Sequence, residues 1–203
     1  MVGTVVWGLW GSEIAGFFSN NSISHTTEVN PIDNTVVSSS AGPSIQDASR
    51  ILDITASLPS GFVSYYDPTA AGALPENMNG EISGQEYITL NTPMGTTYPW
   101  YQIESFLVVT DIDTSQHYTS ETFLRAYFNT ADPSIFNELR NVDIGGGALA
   151  TECGHTGDGL EIGCLKYQNT FTVILCWYSH PAESYPSLTN MMIAIRNNLE
   201  SYY

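Results

Sequence analysis

The sequence predicts an α+β domain, in which an antiparallel or mixed β-sheet is covered by helices and ends in a β-hairpin followed by a C-terminal helix. Two largely apolar runs, 160–167 and 171–178, flank a short polar stretch at 168–170, and this order is typical of a hairpin. The second run is apolar at every position after Thr172, which indicates a central strand covered on both faces.

The segment after the hairpin predicts the helix that covers this strand. Its apolar residues recur with helical spacing along one face: Leu188, Met191, Met192, Ile195 and Leu199. Ser184 is the expected N-cap and Pro186 suits the first turn. Arg196 complements the negative end of the helix dipole.

Shorter patterns predict the earlier elements. Ser44 and Asp47 have the spacing of a helix cap. The helix that they open is expected to bury Ile45, Ala48, Ile51 and Leu52. Strands are expected at 62–66, 87–90 and 103–110. The stretch 69–84 is rich in Gly, Pro and Asn, so we expect a surface loop there.

Two further helices and a bend are expected before the hairpin. Thr119 or Ser120 caps the first helix, which carries Phe123, Leu124, Tyr127 and Phe128. Asp132 and Pro133 open the second helix. Three glycines at 145–147 lack the following Lys of a phosphate-binding loop, so they predict a bend or a bulge.

The chain divides into an apolar segment at 1–18, a polar linker at 19–43 and a single α+β domain at 44–203. The first segment lacks the basic start and cleavage site of a signal peptide, and Glu13 and several glycines interrupt it as a membrane span. Three interpretations stay open: part of a membrane anchor, an element docked on its own domain, or an element that inserts into a neighbouring subunit.

The charge balance excludes one class of partner. Only 5 Lys and Arg residues stand against 21 Asp and Glu, which gives a formal net charge of −16. Nucleic acid is excluded because so few cations cannot neutralise its phosphates, and an anionic membrane surface is disfavoured for the same reason. Ser, Thr, Asn and Gly supply the polar surface instead, a composition that we associate with secreted or cell-surface proteins.

Three cysteines bear on the compartment. Cys153 and Cys164 flank a turn-rich loop, and they lie nearly opposite each other if the loop closes a hairpin at 157–158. We therefore expect a disulfide between them, in keeping with an oxidising compartment, unless the strand register separates them. Cys176 lies within the apolar strand and is expected to be a buried free thiol.

No metal site or cofactor is predicted. Soft ligands cluster near the hairpin without the spacing of a zinc or copper site: Cys153, His155, Cys164, Cys176 and His180. Asp111 and Asp113 resemble the opening of a calcium loop, but Gln116 stands where glycine is required and Thr122 where glutamate is required. A helix cap is the expected role of this segment.

No enzymatic activity is predicted either. His155 with Asp158, or His180 with Glu183, could pair with a serine, but the chain has no Gly-x-Ser-x-Gly nucleophile elbow.

Aromatic residues in a loop give the predicted binding surface, because exposed rings can stack on sugars or anchor a partner. These residues are Tyr98, Trp100 and Tyr101, with Tyr202 and Tyr203 at the terminus as further candidates. The alternative role of these aromatic residues is to cap the edge of the sheet.

Several fragments together resemble the small extracytoplasmic PsbP/LpqN-like lipoprotein domains. They are Leu-Pro-Ser-Gly-Phe at 58–62, Val-Asp-Ile-Gly-Gly-Gly-Ala at 142–148 and Leu-Lys-Tyr-Gln-Asn at 165–169, followed by an apolar strand and a helix. The resemblance extends over residues 44–200, and Gly146 stands where the family has an acidic residue. It implies a non-enzymatic domain, anchored outside the membrane, with a binding or accessory role.

The expected function is therefore that of a non-enzymatic extracytoplasmic domain of the cell envelope, extracellular or at the cell surface and tethered through its N-terminus. Its expected partner is a protein or a small-molecule ligand. The alternative is a self-assembling structural subunit of an extracellular filament or sheath, a homo-oligomer in which the N-terminal segment docks into the next subunit.

Overall fold

Seven antiparallel strands form one sheet, in a computed structural model that describes residues 42–75, 77–90, 101–128, 139–155, 159–178 and 186–203. They are β1 (Phe62–Asp67), β2 (Gly80–Leu90), β3 (Tyr101–Thr110), β4 (Arg140–Asp143), β5 (Leu149–His155), β6 (Leu160–Tyr167) and β7 (Thr170–Tyr178). The spatial order is β1-β2-β3-β7-β6-β5-β4, so two meanders join where β3 pairs with β7. The predicted α+β class is confirmed.

Helices cover both faces of the sheet. Those in the described residues are α1 (Ala48–Leu52), α2 (Ile112–His117), α3 (Ser120–Tyr127) and α4 (Leu188–Glu200), with 3₁₀ turns at Ile45–Asp47 and Thr55–Ser57. We call the side on which α1 and α4 pack the α4 face; its strand residues include Ile103 and Ile174. On the opposite side, the α3 face, the ring centroids of Phe123 and Phe171 are 4.6 Å apart.

β7 is the central strand, as predicted. It is fourth of the seven strands, and each residue from Val173 to Cys176 is at most 1% exposed. Successive side chains of a strand point to opposite faces, so Ile174 and Leu175 are buried on different sides. Burying an aliphatic side chain of this size stabilises the fold by about 1.5–3 kcal/mol.

Helix α4 and its predicted apolar stripe are confirmed, because all five of the predicted residues are buried. The predicted cap at Ser184 is wrong: α4 begins at Leu188, and the Ser187 hydroxyl accepts a hydrogen bond from the Asn190 N–H at 3.2 Å. Ser187 is extended and directly precedes the first helical residue, which is the position of an N-cap.

The cap at Ser44 is confirmed. Its backbone N–H and its hydroxyl both donate to the Asp47 carboxylate, at 3.0 and 2.8 Å. A 3₁₀ turn follows and leads into α1. The Asn198 side chain of α4 then donates to the Ile51 carbonyl at 2.9 Å and joins the two helices.

The predicted loop at 69–84 is wrong in its last part, because β2 begins at Gly80 rather than at Tyr87. A Cβ at Gly84 would lie 2.2 Å from the Asp67 carbonyl oxygen, so the close approach of β1 to β2 requires glycine there. The β2–β3 register also shifts beside this glycine, which marks a β-bulge. Glycine therefore serves strand packing here rather than a loop.

The end of the sheet where β6 turns into β7, which we call the turn end, is closed by hydrogen bonds. The Thr110 N–H donates to the Asn169 carbonyl at 2.9 Å, and the Asn169 amide donates to the Thr110 carbonyl at 2.8 Å. The Tyr203 hydroxyl bonds to the Thr170 hydroxyl at 2.6 Å and to the Asn169 amide oxygen at 2.5 Å. The terminal tyrosine therefore caps the sheet, which was the alternative role for it.

Lys166 and Arg196 hold backbone carbonyls. The Lys166 ammonium donates to the carbonyls of Ser115 and Tyr118 where α2 ends, and burial lowers its pKa. The Arg196 guanidinium donates to the Ile144 carbonyl and thereby packs against the glycine bend, whose three φ angles lie between 63° and 72°. The bend is confirmed, and the left-handed φ angles explain its glycines.

Several predictions concern residues outside those described: the segment 1–18, almost all of the linker 19–43, and the helix opened by Asp132 and Pro133. They stay predictions, as do the domain boundaries. Within the described ranges, none of the helices has both the length and the apolar character needed to cross a membrane.

Candidate functional site

The structure does not support the predicted disulfide. The register pairs Cys153 with Ile162 and Thr151 with Cys164, so the cysteines are one cross-strand pair apart. Diagonal neighbours on a sheet are about 7–8 Å apart, whereas a disulfide needs Cβ atoms about 3.5–4.5 Å apart. The Cys164 thiol is free and buried. The sequence identified this hairpin, but its register separates the pair.

The two described thiols lie on opposite faces of the sheet. Cys164 pairs with Val173 and Cys176 pairs with Glu161, which places Cys164 on the α3 face and Cys176 on the α4 face. Burial raises the pKa of both thiols, so the predicted buried free thiol at Cys176 is confirmed. They cannot share a metal ion, and no group of three or more metal-ligating residues occurs in the part of the chain that the structure describes.

Asp111 caps a helix. Its carboxylate accepts a hydrogen bond from the Thr114 N–H at 2.6 Å, as the N-cap of α2. Hydrogen bonds from Thr114 lower the pKa of Asp111. The expected role of this segment as a helix cap is confirmed.

Tyr101 does not belong to a surface. It is only 3% exposed, its ring meets Phe62 edge-on at 5.9 Å, and it stacks with Tyr178 at 6.4 Å. The prediction of a binding surface is therefore wrong for Tyr101, because as the first residue of β3 it points into the core beneath α4. Tyr98 and Trp100 lie outside the described residues.

A different group of polar and aromatic side chains lies on the α3 face where β2, β3 and β7 meet. We call it the sheet-face cluster: Gln85, Tyr87, Gln102, Glu104 and Trp177. The register places Tyr87 opposite Glu104 and Gln102 opposite Trp177. Gln85 is 4% exposed and the other four side chains are half-buried.

Two hydrogen bonds join polar groups within the cluster. The Gln102 amide donates to the Glu104 carboxyl at 2.6 Å, and the Tyr87 hydroxyl donates to the Gln85 amide oxygen. Because an amide carries both a donor and an acceptor, the half-buried Gln102 keeps its amide oxygen as a second polar atom with which it can bind a ligand.

Burial dominates the electrostatics of the cluster. It raises the pKa of Glu104, while the hydrogen bond from Gln102 acts in the opposite direction. Burial also raises the pKa of Tyr87, and the negative charges of Glu104 and Asp67 add to that shift. A shifted carboxyl beside fixed donors and aromatic rings is typical of a ligand site.

The cluster opens toward the β1 edge of the sheet. Tyr65 lies opposite Tyr87 and is 66% exposed, and Val63 lies opposite Thr89 and is 48% exposed. In the other direction the same row of side chains continues to Leu175 and Ile162, which are 1% and 2% exposed. A ligand can therefore reach the cluster from β1.

A more deeply buried carboxyl lies on the opposite face. Glu86 is 2% exposed, pairs with Ser105 in the β2–β3 register, and its Oε2 atom has no hydrogen-bond partner among the described residues. Burial raises the pKa of Glu86 to about 7, the nearby charge of Asp53 adds to the shift, and a hydrogen bond from Ser64 opposes it.

The described part of the chain also has a small cavity on the α4 face. Its volume is about 210 Å³, and it is lined by Ser57, Leu58, Pro59, Pro186, Asn190, Met191 and Ala194. Sites for drug-sized ligands measure about 300–1,000 Å³, so this cavity is too small to enclose one. The sheet-face cluster is the better candidate site.

Sequence reasoning missed the cluster, because each of its residues lies within a strand and belongs to no motif. A signal was present: Gln85 and Tyr87, like Gln102 and Glu104, are two residues apart and therefore share a face. Polar pairs with that spacing in strands near the centre of a sheet are unusual and point to a site.

Comparisons with protein-family models, curated proteins and solved structures gave no match to this chain. The resemblance to PsbP/LpqN-like domains therefore stays a prediction.

Proposed function

We propose that this chain is a non-enzymatic extracytoplasmic domain of the cell envelope, tethered through its N-terminal segment, that binds a partner or a small ligand at the sheet-face cluster. The observation that carries the proposal is the convergence of a carboxyl, two amides and two aromatic rings on one sheet face that is open at β1. A few polar groups set among aromatic rings fix the orientation of a ligand.

The charge distribution supports a partner other than a polyanion. The net charge is −16, and Lys166 and Arg196 are already committed to backbone carbonyls. A protein of this charge resists non-specific association with anionic surfaces.

The state of the thiols favours binding over nucleophilic catalysis. A thiol reacts as the thiolate, and burial raises the pKa of both Cys164 and Cys176. Both therefore stay protonated and unreactive in the folded domain.

The test is a titration of the full chain, labelled with ¹⁵N, with separate protein and polysaccharide fractions of cell envelope, followed by amide chemical shifts. We expect one fraction to shift the amides of Tyr87, Gln102, Glu104 and Trp177. The amides of Gln168 and Asn169 at the turn end are the internal control and should not move. If neither fraction shifts the cluster amides, the proposal is wrong.

A second candidate function, the self-assembling subunit, is favoured by a contrast between the two edge strands of the described sheet. β1 carries no charge from Phe62 to Tyr66, whereas the four-residue β4 carries Arg140 and Asp143. An uncharged, exposed edge is a template for pairing with another chain.

Light scattering of the full chain and of a variant lacking residues 1–18 tests this second function. A structural subunit should form large polymers as the full chain and monomers when shortened, and Tyr65→Lys, which places a charge on β1, should weaken assembly. A monomeric full chain would exclude it.

A further inference from the structure

We infer that the sheet-face cluster, extended to the sheet edge by Val63 and Tyr65, is a binding site for an uncharged saccharide. This inference rests on the proposed function, since it names the ligand class of the same site.

The first support is an aromatic platform. Tyr65 and Tyr87 are directly opposite in the β1–β2 register, so their rings leave the same face of the sheet from Cβ atoms about 4.5–5.5 Å apart. Tyr65 is 66% exposed, and Val63 continues the apolar surface along β1. Tyrosine combines an apolar ring face, which can cover the C–H face of a sugar ring, with a hydroxyl that remains in water.

The second support is the set of polar groups beside this platform. A sugar hydroxyl both donates and accepts hydrogen bonds, and so does the amide of the half-buried Gln102. The hydrogen bond of 2.6 Å from Gln102 to Glu104 fixes both side chains before a ligand arrives, which reduces the entropy lost on binding. Burial disfavours the charged form of Glu104, and a carboxyl can bind a hydroxyl in either protonation state.

The third support is charge, which selects against other occupants. The ionisable groups that act on Tyr87 are Glu104, Asp67 and Tyr65, and all of them are acidic. An anionic ligand would be repelled by the Asp67 carboxylate and by the ionised form of Glu104. A second copy of the chain would also bring a net charge of −16 against an equal charge. An uncharged saccharide meets neither penalty.

The test is native affinity electrophoresis of the full chain through gels that contain one polysaccharide each. The neutral probes are an α-1,4-glucan, a β-1,3-glucan, a β-1,4-glucan and a galactomannan, and the anionic probe is alginate. We expect at least one neutral polymer to retard the protein while alginate does not. Tyr65→Ala and Gln102→Ala should each weaken the retained interaction about tenfold or more. Ile112→Ala, which truncates another exposed apolar residue, on helix α2, should have no effect.

Three outcomes would overturn the inference. The first is no retardation by any neutral polymer, the second is equal retardation by alginate, and the third is retardation that neither cluster variant weakens. A shift of the cluster amides by the envelope protein fraction alone would also reject the saccharide while leaving the proposed function standing. A dimer that Tyr65→Ala converts to monomer would identify the occupant as a second copy.

Discussion

The buried Glu86 and the half-buried Glu104 are carboxyls on neighbouring strands of one sheet, yet they face opposite sides and have different surroundings. On the α4 face, Glu86 has one oxygen without a hydrogen-bond partner, and the charge of Asp53, the C-cap of α1, disfavours its ionised form. On the α3 face, Glu104 accepts a hydrogen bond from Gln102 and lies in the same row as the exposed Tyr65. Burial alone therefore does not mark a site; fixed donors and an open approach do.

The largest effect should come from the α4 face, which carries most of the core. Ile174→Ala removes a fully buried side chain from that face and should lower the free energy of unfolding by about 2–5 kcal/mol. Urea denaturation at constant pH measures this loss. Ile112→Ala, at an exposed position, is the matched control. A loss below about 1 kcal/mol for Ile174→Ala would mean that the α4 face is not the stabilising side.

Glu86→Gln should produce the next largest effect, and it depends on pH. The folded pKa of Glu86 is about 7 against an ordinary value of 4.5, so the folded state binds its proton more tightly than the unfolded state. The contribution of Glu86 to stability is therefore fully present below pH 4.5 and is lost as the pH rises through 7.

At pH 8, Glu86→Gln should consequently be more stable than the parent chain by about 3 kcal/mol, and near pH 4 the two should be similar. Urea denaturation from pH 4 to pH 8 measures both curves. If the two stability curves run parallel, folding does not raise the pKa of Glu86.

Glu104 should show a smaller and more local response. Its pKa should lie above the ordinary 4.5 when followed by carboxyl ¹³C shifts. Gln102→Ala should raise the pKa further, because the hydrogen bond from Gln102 favours the ionised form. A fall in the pKa of Glu104 in this variant would show that the hydrogen bond from Gln102 does not stabilise the ionised carboxyl. Glu104 would then not differ from Glu86 in this respect.

Tyr65→Ala should have the smallest effect on stability. The ring is largely exposed, so the free energy of unfolding should change by no more than about 0.5 kcal/mol. The same variant should weaken ligand binding strongly, which would separate the two roles of the sheet. Equal losses of stability and affinity would show that Tyr65 supports the fold rather than a ligand.

The sequence predicted those parts of the fold that hydrophobic periodicity controls. The uninterrupted apolar run of β7 and the apolar stripe of α4 are each properties of a single segment. Both are therefore visible in the sequence without a structure. The start of β2 was missed because Gly84 reads as a loop residue until the Asp67 carbonyl is seen against it. Strand register also depends on contacts between strands, so the sequence did not predict it. The expected disulfide between Cys153 and Cys164 required one particular register.

The candidate site was harder to predict than the fold. Tyr101 was placed on the surface because an aromatic residue next to a loop can be exposed or buried, and only the packing of Phe62 and Tyr178 decides. Glu104 and Tyr87 are 17 positions apart in the printed sequence and meet only because β2 pairs with β3.

The buried thiols of Cys164 and Cys176 give the domain a reporter on each side of its sheet. A thiol-reactive dye can modify either one only after the structure over that face opens, since both thiols are buried and protonated in the folded state. Labelling rates at the two positions would therefore time the opening of the α3 face and of the α4 face separately, within a single molecule and without any introduced residue.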